Sequence, residues 1–164
     1  MSGGGGRRAT PRGPAGLPAL RAALVGAGAL LQAGATAAEQ PQVHYMLHCQ
    51  GCHLADGSGA SGAVPSLRDQ IGRFVTVPGG REYLVRVPGS AQSSLSDAEL
   101  AAVLTWMIRA FGPAEIAATL EPFSSEEVAR HRNPPLAEVD SVRRELLGRI
   151  EAGPGAPPGA PESP

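Results

Sequence analysis

The sequence predicts an all-α fold: three or four short helices joined by long loops, followed by a two-helix extension. Three observations carry this expectation. Between Asp97 and Phe111, the residues Leu100, Val103, Leu104, Met107, Ile108 and Phe111 fall on one stripe of helical period. Two Ser-x-x-Glu pairs, Ser96 with Glu99 and Ser124 with Glu127, stand where helices should open. No alternation of strand and helix suggests a βαβ sheet anywhere in the 164 residues.

The first element, residues 1–38, reads as a secretory leader. Arg7, Arg8, Arg12 and Arg21 give it a positive start, an apolar run follows from about Ala22 to Leu31, and Ala35-Thr36-Ala37-Ala38 supplies the small residues of a cleavage site. The apolar run is too short to cross a bilayer about 30 Å thick as a helix, so no stable membrane insertion is expected after cleavage. All the basic residues of the chain are arginine. With the four leader arginines removed, the remainder carries a net charge of −5. That balance excludes a nucleic-acid binder, which needs a basic face, and suits attraction to a basic patch on another protein.

Pro41 to His48 can form a short helix with Val43, Leu47 and Tyr45 facing inward. Leu54 to Gly89 is rich in glycine, with Gly57, Gly59, Gly62, Gly72, Gly79 and Gly80 scattered among apolar residues. Such a stretch closes no core alone and is expected to loop around a large apolar object. The helix over 97–111 opens on Ser96, with Leu95 and Leu100 placed as a hydrophobic staple, and stops at Gly112-Pro113. Residues 113–150 hold two further helices, one opening at Ser124 and running to about His131, the other marked by Val139, Val142, Leu146, Leu147 and Ile150. Residues 151–164 are mostly Pro, Gly and Ala, a composition expected to stay disordered.

The chemistry lies between the first helix and the glycine-rich stretch. The two cysteines of the chain stand three apart with histidine directly after them: Cys49-Gln50-Gly51-Cys52-His53. Two thiols at this spacing can add across the two vinyl groups of one haem, and the next residue then offers its imidazole to the iron. A thiol–disulfide centre would need a βαβ setting. Structural zinc would need four ligands, and no second cysteine pair exists. A plain disulfide leaves the histidine unexplained.

Residues 39–112 resemble a small bacterial class I c-type cytochrome. Beyond the attachment motif, Ala55-Asp56-Gly57-Ser58-Gly59 is similar to that family's glycine-rich loop, Val64-Pro65-Ser66-Leu67 to its Pro-x-Leu element, and Leu95 through Trp106 to the start and aromatic of its last helix. The resemblance implies one covalent haem c, with His53 on the iron. Pro65 is implied to accept a hydrogen bond from the His53 Nδ1–H, Leu67 to pack on the haem face, and Trp106 to pack the last helix on the first near Tyr45. It implies a non-enzymatic periplasmic carrier of single electrons, or a subunit beside a periplasmic dehydrogenase or oxidase. Its partners would be redox proteins: a donor dehydrogenase and an acceptor cytochrome or oxidase. A core of about 70 residues is thin, and the porphyrin would supply the missing apolar surface.

One departure is important. Where relatives carry the methionine that completes the iron's coordination, this sequence has Val87-Pro88-Gly89. The sixth ligand is left open among Met107, Met46, a histidine (His44, His48 or His131) and none. The alternative function follows from the last case: a five-coordinate haem protein that binds a small gaseous ligand.

Overall fold

The computed structural model describes residues 1–3, 5 and 36–153. The expected leader therefore lies almost wholly outside the described residues, as does the tail from residue 154 onward. The chain divides into Met1–Thr36 and Ala37–Pro164, and everything below concerns the second unit. Among the described residues there is no strand, only an isolated antiparallel bridge between Ala60 and Val64. The fold is helical, with α1 (Thr36–His48), α2 (Gln50–His53), α3 (Ile71–Phe74), α4 (Gly80–Arg86), α5 (Pro88–Ala91), α6 (Asp97–Phe111), α7 (Ala114–Thr119), α8 (Ser125–His131) and α9 (Val139–Ala152). No helix among the described residues is long and apolar enough to cross a membrane.

α6 is the axis of the molecule. Its N-cap is a complete capping box: the Ser96 hydroxyl accepts from the Glu99 amide, and the Glu99 carboxylate accepts from the Ser96 amide at 2.7 Å. Its apolar stripe is buried as the spacing predicts, with Leu100, Val103, Leu104, Met107 and Ile108 all inside. Each fully buried side chain of this size stabilises by about 1.5–3 kcal/mol. α1 docks through Tyr45, whose ring lies 5.2 Å from Trp106 and 5.3 Å from Phe111, and whose hydroxyl donates to the Leu54 carbonyl.

The inward face of α1 differs from expectation. Tyr45 is buried, but Val43 is 47 % and Leu47 73 % exposed. Only one stripe of a short helix can face a neighbour, and residues two apart lie on nearly opposite sides of it. The aromatic pair on α6 selects Tyr45.

The glycine-rich stretch is also less loop-like than its composition suggests. α3, α4 and α5 arise within or at the end of it. α4 starts where the backbone comes so close to α3 that a Cβ on Gly80 would sit 1.7 Å from the Phe74 carbonyl oxygen. Tyr83, Leu84 and Val85, three apolar residues in a row, are all buried, so no helical period was visible there.

The extension holds one more helix than expected, α7, and packs on the same core. Leu120, Phe123, Val128 and Leu146 are buried in one cluster with the α6 stripe. At α8 the Ser124 hydroxyl accepts from the Glu127 amide, but the Glu127 carboxylate does not complete the box. It accepts instead from Arg81 of α4 through two bonds of 2.6 Å, a fork-to-fork ion pair.

Candidate cofactor site

α1 runs directly into the cysteines. The Cys49 amide still donates to the Tyr45 carbonyl at 2.9 Å, and Cys49 then caps α2, where the His53 amide donates back to its carbonyl at 3.0 Å. One turn of helix thus carries both thiols and the imidazole. Cys49 is half-buried, and burial, aided by the nearby Cys52, pushes its pKa up to about 11. Cys52 is exposed.

The loop after His53 folds back to hold the imidazole. Gly57 and Gly59 take left-handed backbone angles, φ +76° and +71°. Gly59 admits the chain because a Cβ there would lie 2.5 Å from the Val64 carbonyl oxygen and 2.8 Å from that of Pro65. The Leu67 amide donates to the Gly57 carbonyl at 2.8 Å. Closed in this way, the loop sets the Pro65 carbonyl 3.2 Å from His53 Nδ1. Burial lowers the His53 pKa, and the Pro65 bond works against that shift. The neutral ring donating through Nδ1–H leaves Nε2 as a free lone pair.

Cys49, Cys52, His53, Pro65 and Leu67 all line one cavity of about 330 Å³. The structure therefore brings together every site residue that the sequence singles out. The remaining wall is mainly apolar, built from α3 (Ile71, Phe74), α4 (Tyr83, Leu84) and the α6 stripe. The candidates for a further iron ligand separate. Met107 is buried and lines the cavity, and His48 lies at its rim. Met46 is 54 % exposed, His44 faces Glu99 at 3.6 Å, and His131 faces Glu82 at 3.9 Å; none of these three lines the cavity. No cluster of three or more His, Cys, Asp or Glu side chains among the described residues could hold a bare metal ion.

Sequence reasoning missed Tyr83 and the contribution of α9, whose Val139, Asp140 and Arg143 also reach the cavity. The Arg143 guanidinium lies 5.9 Å from the Phe74 ring and, with Asp140 near it in the lining, brings charge to a mainly apolar wall; the cation suits an anionic group on a bound molecule. Nothing in the spacing of α9 marks Arg143 out from Arg144 beside it.

No family model matches the chain. Over 121 residues it is 32% identical to a cytochrome c-552 of Thermus thermophilus, an alignment covering 63% of this chain and 82% of that protein. A second cytochrome c-552 from Thermus thermophilus is 34% identical over 102 residues, 51% of this chain and 78% of its own length.

Proposed function

The chain belongs to the class I c-type cytochromes, electron carriers with covalently bound haem c, and we propose that it carries single electrons between redox proteins in the periplasm. Cys49 and Cys52 would hold the haem through two thioethers, and His53 would offer Nε2 to the iron. One observation carries this assignment: both thiols, the imidazole and its Pro65 acceptor open on a single apolar cavity. The cavity fits a porphyrin in kind, since its wall offers aliphatic and aromatic surface, and beside Asp140 it holds a cation, Arg143, for an acidic group.

When bound, the haem supplies a one-electron couple between ferric and ferrous iron. The chain's residues set the conditions for it. Pro65 fixes the tautomer and orientation of His53 and raises its basicity. Leu67, Ile71 and the α6 stripe exclude water, so the environment reorganises little when charge arrives. The exposed Cys52 edge, with exposed Leu47 and Leu54 on either side in the sequence, is where a partner can approach. The leader over residues 1–38 takes the chain to the compartment where haem is attached.

The test is direct. Protein made with the haem-attachment machinery keeps its haem on a denaturing gel, and the Cys49→Ser, Cys52→Ser double variant does not. Haem lost from the wild-type band would refute the assignment.

A further inference from the structure

The wall contributed by residues 87–95 is held by a residue far away in the sequence. Arg132, the C-cap of α8, is largely buried and spends its guanidinium on this stretch and the first residue of α6. Its Nε donates to the Ala91 carbonyl at 2.9 Å. One terminal nitrogen donates to the Leu95 carbonyl at 2.7 Å and to the Asp97 carboxylate at 2.9 Å. The other donates to the Ser93 carbonyl at 2.6 Å and the Ser93 hydroxyl at 3.2 Å. Three backbone carbonyls, a hydroxyl and a carboxylate thus converge on one planar fork, which lysine could not reproduce.

The stretch so pinned contributes Val87, Gly89, Ser90, Ser93 and Leu95 to the cavity. None of these side chains has a nitrogen or sulfur to offer iron. Met107 lies one turn before Phe111, whose carbonyl accepts from Asp69 at 2.8 Å and whose ring packs over Gly57. That end of α6 is tied to the loop that follows His53, whereas Arg132 ties down the segment leading into the other end of α6.

We propose that Arg132 is a positioning residue for the haem: by pinning Ala91–Asp97 it holds the wall of Val87–Ser93, which offers iron no ligand, against the cavity the haem would fill, and so governs how readily a small neutral diatomic ligand reaches the iron. The proposal rests on the haem assignment above.

Carbon monoxide is the probe, mixed with dithionite-reduced wild type and three variants. Arg132→Leu frees the wall and should raise the association rate about tenfold or more, within the range over which residues around a metal centre act. Arg132→Lys keeps the charge, loses the fork and should fall between. Arg81→Leu breaks the ion pair of comparable length to Glu127, outside the cavity, and should lower the melting temperature while leaving the rate and the visible spectrum unchanged. The idea is overturned if reduced wild type takes up no carbon monoxide, if Arg132→Lys matches wild type, or if Arg81→Leu alters the rate as much as the Arg132 variants do. Haem staining of each protein on a denaturing gel separates these outcomes from a failure of haem attachment itself.

Discussion

Gly59 and Gly62 form a matched pair for testing how the site is built. Both have left-handed φ, +71° and +76°. An alanine Cβ at Gly62 would meet open space, whereas at Gly59 it would lie 2.5 Å from the Val64 carbonyl oxygen and 2.8 Å from that of Pro65. Gly62→Ala should therefore cost only the left-handed penalty, about 1–2 kcal/mol. Gly59→Ala carries the same penalty and must also push the carbonyls of residues 64 and 65 aside. That movement breaks or stretches the reciprocal Ala60–Val64 bonds of 3.0 and 2.8 Å, each worth about 1 kcal/mol. The expected total is about 3–4 kcal/mol. Because Pro65 accepts from His53 at 3.2 Å, Gly59→Ala should also weaken that bond, lower the basicity of the imidazole and raise the reduction potential. Urea unfolding of the haem-loaded proteins measures the first effect and redox titration the second. Equal destabilisation by the two substitutions, or a potential unmoved by Gly59→Ala, would refute the claim that crowding at Gly59 sets the His53 acceptor.

Two further outcomes concern the seam between α6 and the extension. Thr105 is buried; its hydroxyl donates to the Ala101 carbonyl at 2.8 Å and accepts from the Phe123 amide at 3.0 Å. Thr105→Val leaves that amide without a partner and should cost about 1–3 kcal/mol by urea unfolding, with Thr105→Ser losing clearly less. The Glu127 carboxyl is held below its ordinary 4.5 chiefly by its hydrogen bonds from Arg81. A depressed folded-state pKa contributes stability that is whole above the unfolded value and fades as the pH falls through the folded one. Melting temperatures recorded from neutral pH down past 4.5 should therefore drop more steeply in wild type than in Glu127→Gln. Parallel curves would mean that the pair contributes nothing to acid sensitivity.

What could be read from the sequence was local. Ser96 and Glu99 meet because they stand three positions apart, whatever the rest of the chain does. The α6 stripe and the Cys49–His53 motif are equally short-range patterns, and the resemblance to a known family supplied Pro65 and Leu67. What could not be read depends on contacts made at a distance. Val43 and Leu47 are as apolar as a buried pair, yet the partner that decides which face of α1 goes inside lies about sixty residues on, at Trp106 and Phe111. α4 begins at the second of two glycines that normally punctuate loops, where Gly80 packs closely against Phe74. Ser124 and Glu127 have the spacing of a capping box, but Arg81, 46 residues away, outcompetes the cap for the carboxylate.

The same distance effect explains why so few residues can enclose a large apolar cavity. From Cys49 to Gly112 the chain supplies the attachment turn, the α3 and α4 walls and the α6 stripe, but these elements bring few carbonyl-satisfying partners to the stretch 91–97. The extension supplies them through Arg132. It also pairs Glu127 with Arg81 outside the cavity, and brings Val139 and Arg143 to the cavity itself. Arginine suits the roles of Arg132 and Arg81, because one planar cation can satisfy several oxygens at once without needing a carboxylate for each. A chain whose basic residues are all arginine can therefore stitch loops together at points where lysine would leave carbonyls unpaired. The segment after Pro113 and the segment before it thus share one pocket, and Arg132, which does not line it, holds its wall through the carbonyls of Ala91, Ser93 and Leu95.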